Sequence, residues 1–176
     1  MKRAFPVFAL LASLVLGGCS NFDAEWDRRL HTPPLDLFDG CWKGEWRSAV
    51  NGHNGDLRAI VTLTGDSNYS IRYHALYGPK ALPIPFQYTL DSVKVGREGE
   101  VFKIEGAIDM GLFGNYSYDG QCVGDSYKST YISEYDRGVF DLKRAGKLLP
   151  PAGGGKKKVR FVAVRGKFPA SLSSPR

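Results

Sequence analysis

Gly40-Cys41-Trp42-Lys43-Gly44-Glu45-Trp46-Arg47 is the stretch that decides the fold of this 176-residue chain. In an extended strand alternate side chains point to the same face, so Trp42, Gly44 and Trp46 share one face. Two large apolar side chains on one face, with charged residues on the other, indicate a half-buried strand. From here to Arg144 the chain continues as short segments of the same kind, and we expect them to wrap around this face.

Seven further segments alternate apolar and polar residues and are bounded by residues that favour turns. The predicted strands are Cys41–Ser48, Leu57–Thr64, Tyr69–Tyr77, Phe86–Val93, Val101–Ile108, Asn115–Gly120, Ser126–Ser133 and Val139–Arg144. Short connections favour antiparallel neighbours, and eight strands can close into a barrel without exposed edges. We therefore predict an all-β domain over residues 40–144, an eight-stranded antiparallel up-and-down β-barrel.

The first 18 residues have the composition of a secretory signal peptide. A positive start, Lys2-Arg3, precedes an apolar run, Ala4–Leu16, that is too short to span a membrane as a stable helix. The run ends in Leu16-Gly17-Gly18-Cys19-Ser20, which resembles the lipobox of bacterial lipoproteins. In that family the cysteine is diacylated and becomes the mature N-terminus. The resemblance implies a signal peptide over residues 1–18 and lipidation, with palmitate-type chains, at Cys19. An ordinary signal with a chance cysteine, or an uncleaved helix, is the alternative.

The implied lipid anchor also gives a location. Several acyl chains hold a protein stably at a membrane, where a single chain is marginal. Serine, not aspartate, follows Cys19, which is similar to the lipoproteins that Gram-negative bacteria sort to the outer membrane. We therefore expect a protein of the cell envelope, anchored at the periplasmic face of the outer membrane.

Two charged segments flank the predicted barrel. Residues 19–39 contain Pro33-Pro34, and we interpret them as a tether with at most a helical turn or two. Residues 145–176 are interpreted as a basic, partly disordered tail. From Lys143 onward there are ten Lys or Arg residues and no acidic residue, whereas Cys19–Leu142 has 12 basic and 18 acidic residues.

The net charge of +6 therefore belongs to the tail, while the body carries −6. Clustered Lys and Arg residues next to a membrane bind anionic head groups, so we expect the tail to contact an anionic surface. A solvated tail without a partner, or a tail attracted to the acidic body, is the alternative. No nucleic-acid partner is expected.

Gly40-x-Trp42 at the start of the first strand resembles the Gly-x-Trp pattern of the calycins, the lipocalin, fatty-acid-binding and avidin group. In that group a basic residue near the end of the last strand packs over the tryptophan. Arg144, or Lys143, occupies the corresponding place here. The resemblance implies a calycin-like barrel and a structural role for Arg144, and it carries no ligand over to this chain.

The inward faces of the predicted strands are rich in aromatic side chains that carry hydroxyl groups. The candidate ligand-binding residues are Trp42, Trp46, Tyr73, Tyr88, Tyr116, Tyr118, Tyr127 and Tyr131. Buried phenols need hydrogen-bond partners, and an eight-stranded barrel is wide enough either for a filled core or for one small ligand. The sequence leaves both open: a pocket for a small hydrophobic or aromatic ligand, or a packed core.

The cysteine and histidine residues are the candidates for a disulfide bond and for a metal site. With Cys19 acylated, Cys41 and Cys122 remain, and an even count in an oxidising compartment predicts a disulfide between them. Strict alternation, however, places Cys41 outward and Cys122 inward. The three histidines show no metal-ligand spacing and are expected to be solvated.

These patterns together favour a non-enzymatic, membrane-anchored binding barrel. The alternative is a non-catalytic envelope scaffold or interaction protein whose barrel core is packed. An enzyme is the third interpretation, because no nucleophile–base pair or metal-ligand cluster is visible in the sequence. No cofactor is expected. An interior cavity would separate the first two interpretations.

Overall fold

The computed structural model of the chain describes residues 21–78, 81–111 and 114–146. Eight strands form one closed barrel: β1 (Gly40–Ser48), β2 (Asn54–Gly65), β3 (Asn68–Tyr77), β4 (Ile84–Glu98), β5 (Val101–Asp109), β6 (Asn115–Val123), β7 (Ser126–Ser133) and β8 (Arg137–Ala145). Each strand pairs antiparallel with the next, and β8 returns to β1. The predicted all-β, eight-stranded up-and-down barrel is confirmed. The predicted signal peptide, Cys19 and the tail from residue 147 lie outside the described residues.

The barrel closes through Trp42 and Arg144, which are direct partners across β1 and β8. The guanidinium carbon of Arg144 lies 4.3 Å from the centroid of the Trp42 ring, and the Arg144 side chain is only 4% exposed. The same guanidinium donates to the carbonyl oxygens of Asp39, at 2.8 Å, and of Leu37. The predicted contact between the two residues is confirmed. Cation–π attraction is strongest where water is excluded, as it is here.

Gly44 allows the first and last strands to approach each other on the tryptophan face. A β-carbon added at Gly44 would lie 2.0 Å from the carbonyl oxygen of Asp141. Any side chain at this position would therefore force β8 away from β1. The glycine between the two tryptophans thus has a packing role that the alternation alone does not reveal.

The two ends of the barrel differ. We call the end at which β1 begins the closed end and the end at which β1 finishes the open end. At the closed end the Phe38 ring fills the interior, with its centroid 5.2 Å from both Tyr69 and Tyr127 and 6.2 Å from both Trp42 and Phe102. The closed half of the barrel is consequently a packed core.

Strand β4 is longer than the predicted Phe86–Val93 and contains a bulge. Ser92 has a φ of 57°, and the pairing with β3 shifts between Tyr69 and Ile71. The bulge resets the alternation, so that Leu90, Val93 and Val95 are all buried. Beyond the bulge Val93 and Lys94 still pair with β3, and the pairing with β5 begins at Val95.

Residues 21–39, which the sequence analysis assigned to a tether, pack against the barrel. Residues 21–30 form a helix, α1, whose Phe22 and Trp26 side chains are buried against the outer wall at Ile60. The spacing of the two aromatic residues, four positions apart, places them on one face of the helix. This segment therefore belongs to the folded domain rather than to a free spacer.

A buried ion pair fixes the rest of this N-terminal segment. Asp39 is fully buried and accepts hydrogen bonds from Arg29 at 2.7 Å, Leu35 N at 2.9 Å and Leu63 N at 3.1 Å. A buried carboxylate is tolerated when its acceptor sites are satisfied in this way. The contacts join α1, the crossing segment 31–39 and β2.

His74 is not solvated as expected, because α1 covers it. Its ring stacks on Phe22 with centroids 5.0 Å apart, and it is 6% exposed. Burial and the neighbouring Arg58 charge lower the pKa of His74. The expectation of a solvated side chain was wrong because the covering helix was not predicted.

The predicted disulfide between Cys41 and Cys122 is wrong, and both thiols are free and buried. Cys41 lies on the outer wall beneath Trp26, whereas Cys122 lies in the barrel core. The barrel wall separates them, as the alternation of the two strands requires. An even number of cysteines does not produce a disulfide when the strands place the two thiols on opposite sides of the barrel wall.

Thiol titration should therefore find both cysteines reduced in the exported protein. After denaturation, an aromatic disulfide reagent is expected to titrate two thiols. In the native state both should react slowly at neutral pH, because burial raises the pKa of Cys41 to about 11 and of Cys122 to about 12 and the thiolate is the reactive form. No thiols after denaturation, with a mass lower by two hydrogens, would contradict the placement.

Candidate ligand-binding site

The open half of the barrel contains a cavity of about 340 Å³. This volume falls at the lower end of the range found for small-molecule sites. The residues that line it are Trp46, Leu57, Tyr73, Ala75, Tyr77, Ile84, Pro85, Phe86, Tyr88, Leu90, Ile108, Met110, Tyr116, Tyr118, Ser129, Tyr131, Asp136 and Phe140. Tyr77 and Ile84 are also exposed, so the cavity reaches the surface at the open end.

Six of the eight predicted ligand-binding residues line this cavity: Trp46, Tyr73, Tyr88, Tyr116, Tyr118 and Tyr131. The other two, Trp42 and Tyr127, are buried in the closed half. Their rings contact each other, with centroids 5.9 Å apart. They support the floor of the cavity rather than its wall. The alternation of a strand predicts which side a residue faces, but not its depth along the barrel.

At the floor of the cavity the hydroxyl of the lining residue Tyr73 contacts that of Tyr127, which lies beneath the lining. The hydroxyls of Tyr73 and Tyr127 are 2.6 Å apart, and the ring of Tyr73 stacks on Tyr88 with centroids 4.9 Å apart. Burial is the main reason that the pKa of each of these three phenols lies above its usual value. The phenols are therefore neutral at physiological pH and offer hydrogen bonds rather than charge.

The polar side of the cavity lies at Asp136, in the turn before β8. Its carboxylate accepts hydrogen bonds from the Tyr131 hydroxyl at 2.9 Å, the Ser48 hydroxyl at 2.6 Å and the Arg137 backbone N–H at 2.8 Å. Burial and the hydrogen bond to Asp136 raise the pKa of Tyr131. Among the described lining residues, Asp136 is the only one that carries a carboxylate, and it was not among the residues predicted from the sequence.

Trp46 forms part of the cavity wall at the mouth and connects it to β3. Its indole N–H donates to the Leu76 carbonyl at 3.1 Å, and its ring lies 4.3 Å from that of Tyr77. Gly55 makes this possible, because a β-carbon there would lie 2.0 Å from the same Leu76 oxygen. Burial raises the pKa of Tyr77 to about 12, with smaller contributions from the neighbouring Tyr116 and Asp136. The aromatic side chains at the mouth are thus uncharged and are tied to the strands around them.

The arrangement suits a small ligand that is mostly apolar. Aromatic faces supply contact area, and a few phenol and serine hydroxyls supply directional hydrogen bonds. No lysine, arginine or histidine is among the described lining residues. An anionic group on the ligand would therefore find no cation in the described wall.

Comparison of the chain with models of protein families, with curated proteins and with solved structures found no match. Within residues 21–78, 81–111 and 114–146, no helix has the length and apolar character needed to cross a membrane.

Proposed function

We propose that this protein is a membrane-anchored bacterial lipoprotein whose calycin-like barrel binds a small, partly apolar ligand. The observation that carries the proposal is the aromatic cavity of about 340 Å³ in the open half. A barrel that served only as a scaffold would have no need for an unfilled half, since unfilled apolar volume costs stability. The proposal assigns no catalytic step and no cofactor.

Three further features support parts of this proposal. Arg144 over Trp42 is the arrangement expected of a calycin-like barrel. The lipobox-like run before Cys19 supports an anchor in the cell envelope, and the basic residues after Lys143 support a second, electrostatic contact with anionic head groups. The alternative, a non-catalytic envelope scaffold or interaction protein with a packed barrel core, is supported by the packed closed half of the barrel.

Filling the cavity should abolish ligand binding without unfolding the barrel. Ala75 faces the cavity and is small, so Ala75→Trp would occupy much of the volume. An environment-sensitive naphthylamine probe is expected to brighten and shift to the blue with the native protein and to stay dark with the variant. Fluorescence titration and far-ultraviolet circular dichroism, run side by side, check this.

Leu76→Trp is the matched control, because Leu76 is the next residue on β3 and its side chain points to the outer face. This variant should bind the probe as the native protein does. Equal binding by both variants would show that the probe binds elsewhere and would remove the support for a ligand site.

Changing Cys19 to alanine should release the protein from membranes. The thiol is the proposed attachment point, and without acyl chains no stable anchor remains. Incorporation of labelled palmitate and sedimentation with membranes are the readouts. A variant that still incorporates the label and still sediments would contradict the lipoprotein proposal while leaving the ligand site untouched.

A further inference from the structure

The direction of α1 shows from which part of the barrel the anchor would leave. The Phe22 ring near its start lies 5.0 Å from the ring of His74, in the open half of β3. Near its end, Arg29 donates to the Val61 carbonyl at 3.0 Å, and Val61 pairs with Gly40 at the closed end. The helix therefore runs from the open half toward the closed end, and its N-terminal side points toward the open end.

Chain length then limits where the anchor can be. Cys19 precedes Phe22 by three residues, which span at most about 11 Å. His74 is three residues from the open end of β3, a distance of about 10 Å along the strand. From Phe22 to residue 30 the helix extends about 12 Å toward the closed end. A lipid on Cys19 would thus leave the protein at the level of the open half.

The exposed apolar side chains are concentrated at this same end. Among the described residues, seven of the eight large exposed hydrophobic side chains lie in or next to the loops of the open end. They are Val50, Tyr77, Leu82, Ile84, Ile132, Tyr135 and Val139, and we call them the open rim. The eighth, Leu35, is at the closed end. An apolar patch of this kind around a cavity mouth marks an interaction surface.

The side wall beside α1 does not share this character. Arg58 pairs with Asp23 at 2.8 Å, and Arg72 pairs with Glu25. Charged pairs favour water over the interior of a bilayer. A barrel held close to the membrane by Cys19 would therefore turn its rim, rather than this wall, toward the lipid.

We propose that the open rim docks on the bilayer that carries the anchor, so that the cavity mouth faces the lipid and the ligand is a membrane-dissolved amphiphile that enters from it. This inference rests on the proposed lipidation of Cys19. The polar groups near the mouth, at Asp136 and Tyr131, lie 2.9 Å apart and would meet the polar end of such a molecule. The apolar remainder would lie deeper, against Tyr73 and Tyr88.

Depth-dependent quenching tests the orientation. The full-length lipidated protein is purified from bacterial membranes and reconstituted in phosphatidylcholine vesicles that contain doxyl-labelled lipid. A fluorophore is attached either at Asn51→Cys in an open-end loop or at Asp66→Cys in a closed-end turn, both exposed positions. Cys41 and Cys122 are buried and would label slowly. We expect the label at position 51 to be quenched several-fold more than the label at position 66.

A matched pair of substitutions tests the rim itself. Leu82 is 74% exposed at the open end and Leu35 is 69% exposed at the closed end, and neither lines the cavity. Leu82→Asn is expected to reduce quenching of the label at position 51, whereas Leu35→Asn should leave it unchanged. Equal quenching at positions 51 and 66, or stronger quenching at position 66, would overturn the inference.

Two measurements on the same samples separate this inference from the proposed function. Sedimentation with vesicles reports the anchor, and the naphthylamine titration reports the cavity. Vesicle-bound protein that binds the probe but shows the reversed quenching pattern would overturn the docking surface alone. Protein that does not sediment with vesicles would overturn the anchor and the inference together.

Discussion

Replacing Trp42 with alanine is expected to lower the free energy of unfolding by about 3–5 kcal/mol. The side chain is fully buried, its indole N–H donates to the Phe38 carbonyl at 2.9 Å, and its ring contacts Phe38 and Tyr127. Truncation would remove this contact area and leave a void in the packed half of the barrel. Equilibrium denaturation in urea measures the change, which is a large fraction of the total stability of a domain this size.

A double-mutant cycle with Arg144 tests the origin of the effect. Arg144→Ala should cost less than Trp42→Ala, although it removes the guanidinium that donates to the Asp39 and Leu37 carbonyls. Because the two side chains touch, the combined loss is expected to differ from the sum by about 0.5–3 kcal/mol. Lys143→Ala, at the exposed neighbouring position, should change stability little. Strict additivity would contradict the closing contact between β1 and β8.

Replacing Phe38 with alanine is expected to be comparably damaging, at about 3–5 kcal/mol. Phe38 is fully buried and fills the closed end of the barrel. It lies in the segment before β1, so the loss would show that residues outside the strands hold the core together. Urea denaturation again measures the change in the free energy of unfolding. Tryptophan fluorescence is the signal, because Trp42 contacts Phe38.

Leu35→Ala is the control for this experiment. Leu35 lies in the same segment, is apolar and is largely exposed, so the substitution should stay within about 0.5 kcal/mol of the native value. Similar small losses for both variants would mean that the segment before β1 does not contribute to the core. Residues 21–39 would then be the tether that the sequence analysis expected.

The barrel itself was predictable because alternation and turn residues are local signals. Trp42, Gly44 and Trp46 share the inner face as expected, and the register brings Arg144 opposite Trp42. The bulge at Ser92 was not predictable, because a single residue with a positive φ is set by the closure of the sheet and leaves no periodic trace.

The sequence of residues 21–39 contains a helix pattern that the predicted tether did not take into account. Phe22, Trp26 and Leu30 recur every four residues, which is the period of one helix face. Phe38 carried no such signal, since an isolated aromatic residue between turn residues has no period. The position of Phe38 inside the barrel depends on how residues 31–39 cross the closed end. Only the three-dimensional fold defines this path.

The sequence predicted which residue types form the candidate site, but not how far along the barrel axis each residue lies. Tyrosines on inward faces were expected to surround either a ligand or each other, and both occur. Tyr127 packs in the closed half with Trp42, while Tyr116 and Tyr131 line the cavity. Which half is filled depends on Phe38 entering from one end, so the pattern of the strands alone could not decide between a pocket and a core.

Native mass spectrometry of the protein purified from its own cells tests the ligand-binding proposal most directly. We expect a population of native protein with a discrete excess mass from one small, partly apolar molecule, and the loss of that population in Ala75→Trp, whose new side chain fills the cavity. Leu76→Trp should retain it. Native protein and Ala75→Trp that both carry only the mass of the lipidated chain would contradict the proposal that the barrel binds a ligand.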